Sequence, residues 1–216
     1  MPTALSIAIE PLKADRCEPY GWLLGKPVRT DGDAPAFVSP ASDFWREHLF
    51  DTGTEAQTEI LWVVYRNRNA EITSLELHRL TQQAIVPLTA PVVHIVATSL
   101  EDGGPDLDSL RAFEIPVGKG LCMRPNIWHA TRVANGESTC VMLTRPSTTY
   151  DLIVHLKTGA PACESVIKSI ERHTLELLRL EQSGASVQTR ITASDRCSPI
   201  AADTNGPPPA NLSPHA

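Results

Sequence analysis

Ile72-Thr73-Ser74-Leu75-Glu76-Leu77-His78 passes into strict alternation of polar and apolar side chains in its second half. Side chains on a β-strand point to opposite faces with a period of two. Leu75 and Leu77 therefore share one face, and Ser74, Glu76 and His78 share the other. Where that polar face lines a concave interior, a carboxylate and an imidazole stand side by side. A second imidazole, His129, closes the stretch Pro125-Asn126-Ile127-Trp128-His129 and can reach the same interior from another strand. Two imidazoles and a carboxylate can transfer protons or hold a divalent ion.

Outward from this run the chain reads as a series of short strands at 59–66, 72–80, 83–88, 92–100, 111–115, 121–124, 139–145 and 151–156. They are rich in Val and Ile and are punctuated by Asn-Arg-Asn, Pro-Leu-Thr-Ala-Pro, Asp-Gly-Gly-Pro and Ala-Asn-Gly. Many short strands with a turn every ten or so residues predict an all-β sandwich or barrel. An apolar N-terminal run predicts a first strand, and residues 31–58 read as loops with a short amphipathic piece near 44–50. Val166, Ile167, Ile170, Leu177 and Leu178 recur at helical spacing, which predicts a C-terminal helix over 161–182, serving as a lid or a dimer surface. Residues 183–216 hold almost no large apolar side chains and are expected to form a disordered tail. The domain is thus expected over 1–160.

Composition narrows the functions. The chain has 216 residues and a formal charge of −6, and no basic run tracks phosphates, so nucleic acid is not an expected partner. No stretch reaches the roughly 20 apolar residues that cross a bilayer, so no membrane partner is expected. The five cysteines are scattered without a Cys-x-x-Cys pair, which suits free thiols in a reducing cytoplasm.

Glu76, His78, Gln83 and His129, with Gly118, Gly120 and Pro125 ahead of the last, resemble the paired motifs of cupin barrels. A wider set resembles the ureidoglycolate lyase family over roughly residues 5–150: Leu75 to His78, Gln83-Ala84-Ile85-Val86-Pro87, the block Pro105-Asp106-Leu107-Asp108-Ser109-Leu110-Arg111-Ala112-Phe113, Trp128-His129, and Tyr20-Gly21. The chain departs from that family at Arg79, Arg124-Pro125 and Ala130, which flank the expected pocket.

The resemblance implies a cupin-like barrel (a double-stranded β-helix, or jelly roll) with a lyase activity. (S)-Ureidoglycolate would be cleaved to glyoxylate and urea, a step of purine nitrogen catabolism. It implies proton transfer by His78 and His129, with Glu76 as base or as the group that orients an imidazole, and Gln83 on the substrate hydroxyl. Arg66, then Arg124, are the expected carboxylate anchors, because a guanidinium fork matches a carboxylate. Trp128 is expected as a pocket wall, and His94, between Val93 and Ile95, as a buried structural histidine. A divalent metal, nickel or manganese, on His78, His129 and Glu76 remains an open alternative to plain acid–base chemistry. No nucleotide cofactor is expected, and a homodimer is. Two other readings share the fold: a metal-dependent oxygenase or isomerase for a small hydroxy or keto acid, and a small-acid-binding cupin without turnover.

Overall fold

The computed structural model describes residues 5–176 except 33, 55 and 161. The expected tail at 183–216 and Cys197 lie outside the described residues. Strands β1 (Leu5–Ile7) and β2 (Ile9–Pro11) are followed by a helical turn α1 (Ala14–Cys17) and by β3 (Gly21–Leu24). Then come β4 (Ala36–Val38), β5 (Asp43–Trp45), β6 (Glu59–Tyr65), β7 (Glu71–His78), β8 (Gln83–Pro87) and β9 (Val92–Ala97). The second half holds β10 (Arg111–Ile115), β11 (Gly120–Met123), β12 (Trp128–Arg132), β13 (Ser138–Thr144), helix α2 (Pro146–Thr158) and β14 (Ser165–Leu175).

Two sheets carry the architecture. One has seven strands in the order β1-β14-β7-β12-β9-β10-β2, the other five in the order β3-β11-β8-β13-β6. The edge strands of the larger sheet, β1 and β2, are separated in sequence by Ala8 alone, so the sheet curls until its edges nearly meet. One of its faces buries Ile72, Leu75, Leu77, Ile95 and Trp128. Between the two sheets lies a second apolar cluster with Ile85, Val96, Phe113, Leu121 and Met123. Burying each such side chain contributes about 1.5–3 kcal/mol, which makes these clusters the main support of the barrel. The expected all-β, cupin-like barrel is what the chain forms.

Local chemistry explains two of the marked residues. A Cβ on Gly21 would collide with the Cys122 carbonyl, so the Tyr20-Gly21 step lets β3 lie against β11. Asn126 takes a left-handed φ of 64°, and its N–H donates to the His78 carbonyl at 2.8 Å. That turn ties the end of β7 to the start of β12.

Two expectations are corrected. The stretch 151–156, read as a strand, lies inside helix α2. Pro146 opens that helix in its first turn, and Gly159, with φ 70°, closes it by donating to the His155 carbonyl at 2.8 Å. The helix expected over 161–182 is instead strand β14 as far as Leu175, while 177–182 lie outside the described residues. β14 pairs antiparallel with β7 and breaks register between Ser169 and His173. Val166 and Ile170, four residues apart, both pack on the core from this strand as they would from a helix, while Ile167 is 40% exposed, so the three mimic helical spacing. A helix does follow the barrel strands, but it is α2. Ile170, the expected lid or dimer residue, packs on the core of the curled sheet.

Candidate active site

Neighbouring strands of the larger sheet bring the key residues together. β12 pairs with β7 so that His129 stands opposite Glu76 and Trp128 opposite Leu77. Glu76, His78 and His129 therefore face the smaller sheet, whereas Trp128, 1% exposed, points to the other side. Trp128 packs in the core of the curled sheet and does not line the cavity.

The cavity between the sheets measures about 330 Å³. Glu76, His78, His129 and Thr131 form one wall, with Gln83 from β8 beside them. Leu61, Val63 and Tyr65 of β6 and Met142 and Thr144 of β13 form the opposite wall. Helix α2 covers it with Thr148, Thr149, Leu152, Ile153 and Leu156.

Glu76 Oε1 lies 3.1 Å from His78 Nε2, and the His78 and His129 rings are 5.1 Å apart. One ligand atom from each of the three residues falls within 4.8 Å of the others. The imidazoles are held from behind. His129 Nδ1 donates to the Ile127 carbonyl at 3.0 Å, which leaves Nε2 with its lone pair. His78 Nδ1 contacts the Ser165 hydroxyl at 3.1 Å. Despite its short distance to Glu76, His78 Nε2 lacks hydrogen-bond alignment and is a buried, unpartnered atom, as are Gln83 Oε1 and Thr144 Oγ1. Three such atoms around one cavity mark a place built for a ligand, because an unpaired buried polar group is costly.

Electrostatics fix the charge states. Burial alone would push the Glu76 carboxyl up, but the His78 contact and the charges of His129 and His78 outweigh it, so its pKa falls below the usual value and it stays ionised. Burial, with His78 adding to it, pushes His129 down to about 4, against the opposing pull of Glu76 and the Ile127 carbonyl. At neutral pH His129 is a neutral ring. Burial raises the Tyr65 phenol above its usual range, and its hydroxyl contacts Met142 Sδ at 3.2 Å. An ionised Glu76 carboxylate beside the imidazoles of His78 and His129 is the donor set of a divalent metal site, and the orphaned His78 Nε2 fits that use.

The two expected arginines lie elsewhere. Arg66 is exposed on the surface and pairs with Glu137 at 2.8 Å. Arg124 borders a narrow crevice with His78, Gln83 and His129, but its guanidinium lies 4.1 Å over the Trp22 ring and bonds Glu18 at 2.8 Å. His94 is buried, as expected, between the Thr131 hydroxyl at 3.0 Å and Met123 Sδ at 3.2 Å. The sequence reading missed Tyr65, Thr144 and the α2 residues. For β6 and β13 the signal was strand alternation, which puts Leu61, Val63 and Tyr65 on one face. For α2 it was the Pro146 and Gly159 bracket.

Fold and site together define a cupin-like barrel with a carboxylate and two imidazoles at one wall of a covered cavity. The chain belongs to the ureidoglycolate lyase family, which it matches over residues 4–158. It is 28% identical over 138 residues to a ureidoglycolate lyase of Burkholderia mallei strain NCTC 10229, spanning 61% of this chain and 77% of that protein. The figures are the same for strain NCTC 10247. Similar solved structures include a dTDP sugar isomerase from Desulfovibrio desulfuricans G20, at 12% identity and TM-score 0.35, covering 57% of this chain and 74% of that one. A dTDP-4-dehydrorhamnose 3,5-epimerase from Elizabethkingia anophelis NUHP1 has 12% identity and TM-score 0.34, covering 55% and 72%.

Proposed function

We propose that this chain cleaves (S)-ureidoglycolate to glyoxylate and urea. The observation that carries the reading is the convergence of Glu76, His78 and His129 with unpartnered Gln83 Oε1 and Thr144 Oγ1 on one cavity, in a member of this family. The substrate carbon bears a hydroxyl, a carboxylate and a urea nitrogen. Cleavage removes the hydroxyl proton and forms the glyoxylate C=O. The C–N electron pair leaves on the urea nitrogen, which takes up a proton.

Glu76, ionised and 3.1 Å from His78 Nε2, can accept the hydroxyl proton and share it with that imidazole for delivery to the departing nitrogen. Gln83 Oε1 accepts from the hydroxyl or a urea N–H, and the Thr144 hydroxyl donates to the carboxylate. Leu61, Val63, Met142 and the α2 side chains exclude water. In the alternative to this proton relay, Glu76, His78 and His129 would hold a divalent ion, nickel or manganese, which would lower the pKa of the substrate hydroxyl in place of proton transfer through those atoms.

The test is glyoxylate release by Glu76→Gln, His78→Ala and His129→Ala, with nickel, manganese or chelator present. Unchanged turnover in all three variants overturns the proposal. The reading includes a homodimer in a reducing cytoplasm. Free Cys17, Cys122 and Cys140 are buried, and the outer edge strand β6 exposes Ile60 and Trp62 to a second copy. Sedimentation velocity checks the dimer. Among the described residues no helix is long and apolar enough to cross a membrane.

A further inference from the structure

No lysine or arginine among the described residues lines the cavity. A substrate no larger than ureidoglycolate, polar on every side, would fill only the end bounded by Glu76, His78, Gln83 and His129. Beyond that end the boundary mixes Tyr65, Thr131, Thr144, Thr148 and Thr149 with an apolar patch: Leu61, Val63 and Met142 on the facing wall, and Leu152, Ile153 and Leu156 on α2. At the mouth, Ile153 is 41% and Leu156 66% exposed, an apolar rim left facing water.

That cover is built rather than loose. The Asp151 carboxylate accepts the backbone N–H groups of Cys163, Glu164 and Ser165 at 2.8, 2.9 and 3.0 Å. The Thr148 and Ser147 hydroxyls both donate to Glu164 Oε2, at 2.6 and 3.0 Å. Both ends of this strap matter, because the same Ser165 braces His78. The apolar face of α2 is therefore fixed relative to the acid–imidazole wall, and its composition selects what can sit between them.

We infer that the preferred substrate is an α-hydroxy acid carbinolamide whose departing amide nitrogen or urea end bears an apolar substituent, lodged under α2 between Met142, Leu152 and Leu156. This rests on the lyase reading and narrows its substrate class. The reaction is unchanged in its balance: the hydroxyl proton leaves, the C–N bond breaks onto nitrogen, and that nitrogen is protonated. The products are glyoxylate and an N-substituted urea or amide in place of urea itself. A methylene in a matched apolar pocket discriminates by roughly ten-fold or more.

The experiment compares kcat/KM for ureidoglycolate and its N′-butyl analogue on the full chain, with nickel or manganese added. The expected result is a preference for the butyl compound of about tenfold or more, reduced in Leu156→Asp and Leu152→Asp. Equal or faster cleavage of ureidoglycolate overturns the inference and leaves the lyase reading intact. Glyoxylate from neither compound overturns the lyase reading and, with it, the inference that rests on it.

Discussion

The wall built from β7 and β12 presents Glu76, His78 and His129, whereas the facing wall and its helical cover present Leu61, Val63, Met142, Leu152 and Leu156. The first wall is polar and braced from behind by Ser165 and the Ile127 carbonyl. The second offers shape and dryness, with the Thr144 hydroxyl as its unpartnered polar atom. The contrast separates chemistry from selection: substitutions on the first wall should change the rate of bond breaking, and those on the second should change which molecule is accepted.

The largest effect expected is on the first wall. Glu76→Gln and His129→Ala should each lower kcat for glyoxylate release by about 10²–10⁴, the usual range for a positioned acid or base. Val63→Ala should instead alter KM and leave kcat within about tenfold. Equal kcat losses on both walls would break the comparison. Next come the atoms at the join. Gln83→Leu and Thr144→Val each remove one hydrogen-bonding group, and kcat/KM should fall about tenfold for each.

A smaller effect concerns pH and the layer behind the polar wall. Burial, with His129 adding to it, pushes His94 down to about 3, and His129 itself sits at about 4, against an ordinary 6.5 for both. Below 6.5 the unfolded chain binds protons that the folded chain refuses. The stability tied to these neutral rings is therefore complete above 6.5 and is lost as the pH falls through the window toward 4. Each ring contributes up to about 1.4 kcal/mol per pH unit inside that window. Urea midpoints of chelator-treated protein should fall steadily from pH 6.5 to 4, and His94→Leu should flatten the slope. A midpoint independent of pH would contradict the burial of both rings. The smallest effect is at Arg66. As an exposed ion pair with Glu137, its change to Ala should cost under about 1 kcal/mol. Its kcat/KM should also stay within about twofold of the parent value. A tenfold loss would restore it as the carboxylate anchor.

The polar wall was legible because β7 keeps its period of two up to His78, so the faces of Leu75, Glu76, Leu77 and His78 follow from spacing alone. Its partner followed from a resemblance that located His129. The apolar wall was harder. Inward Leu, Val and Met on β6 and β13 look the same whether they fill a core or line a cavity. Helix α2 was hidden because Leu152, Ile153 and Val154 form an apolar run that a strand could equally use, and only the flanking Pro146 and Gly159 distinguish the two. β14 misled in the opposite direction, because Val166 and Ile170, four apart, share a face on a strand and on a helix alike. Arg66 and Arg124 were chosen for the chemistry of their side chains, and which way each points is set by partners, Glu137 and Trp22, that are distant in sequence from their targets.

The pairing of β1 with β14 has a consequence for how the molecule is made. Leu5 to Ile7 lie alongside His173 to Leu175, so β1 must wait for β14, far along the chain, before it finds this neighbour. Until then β2 can seat against β10, but the ring stays open, and β7 lacks the flank that carries Ser165 and steadies His78. Closure is thus a late, long-range event of the kind that slows folding. A chain halted before residue 165 would own every acidic and imidazole group of its cavity wall and still lack the brace that aims them.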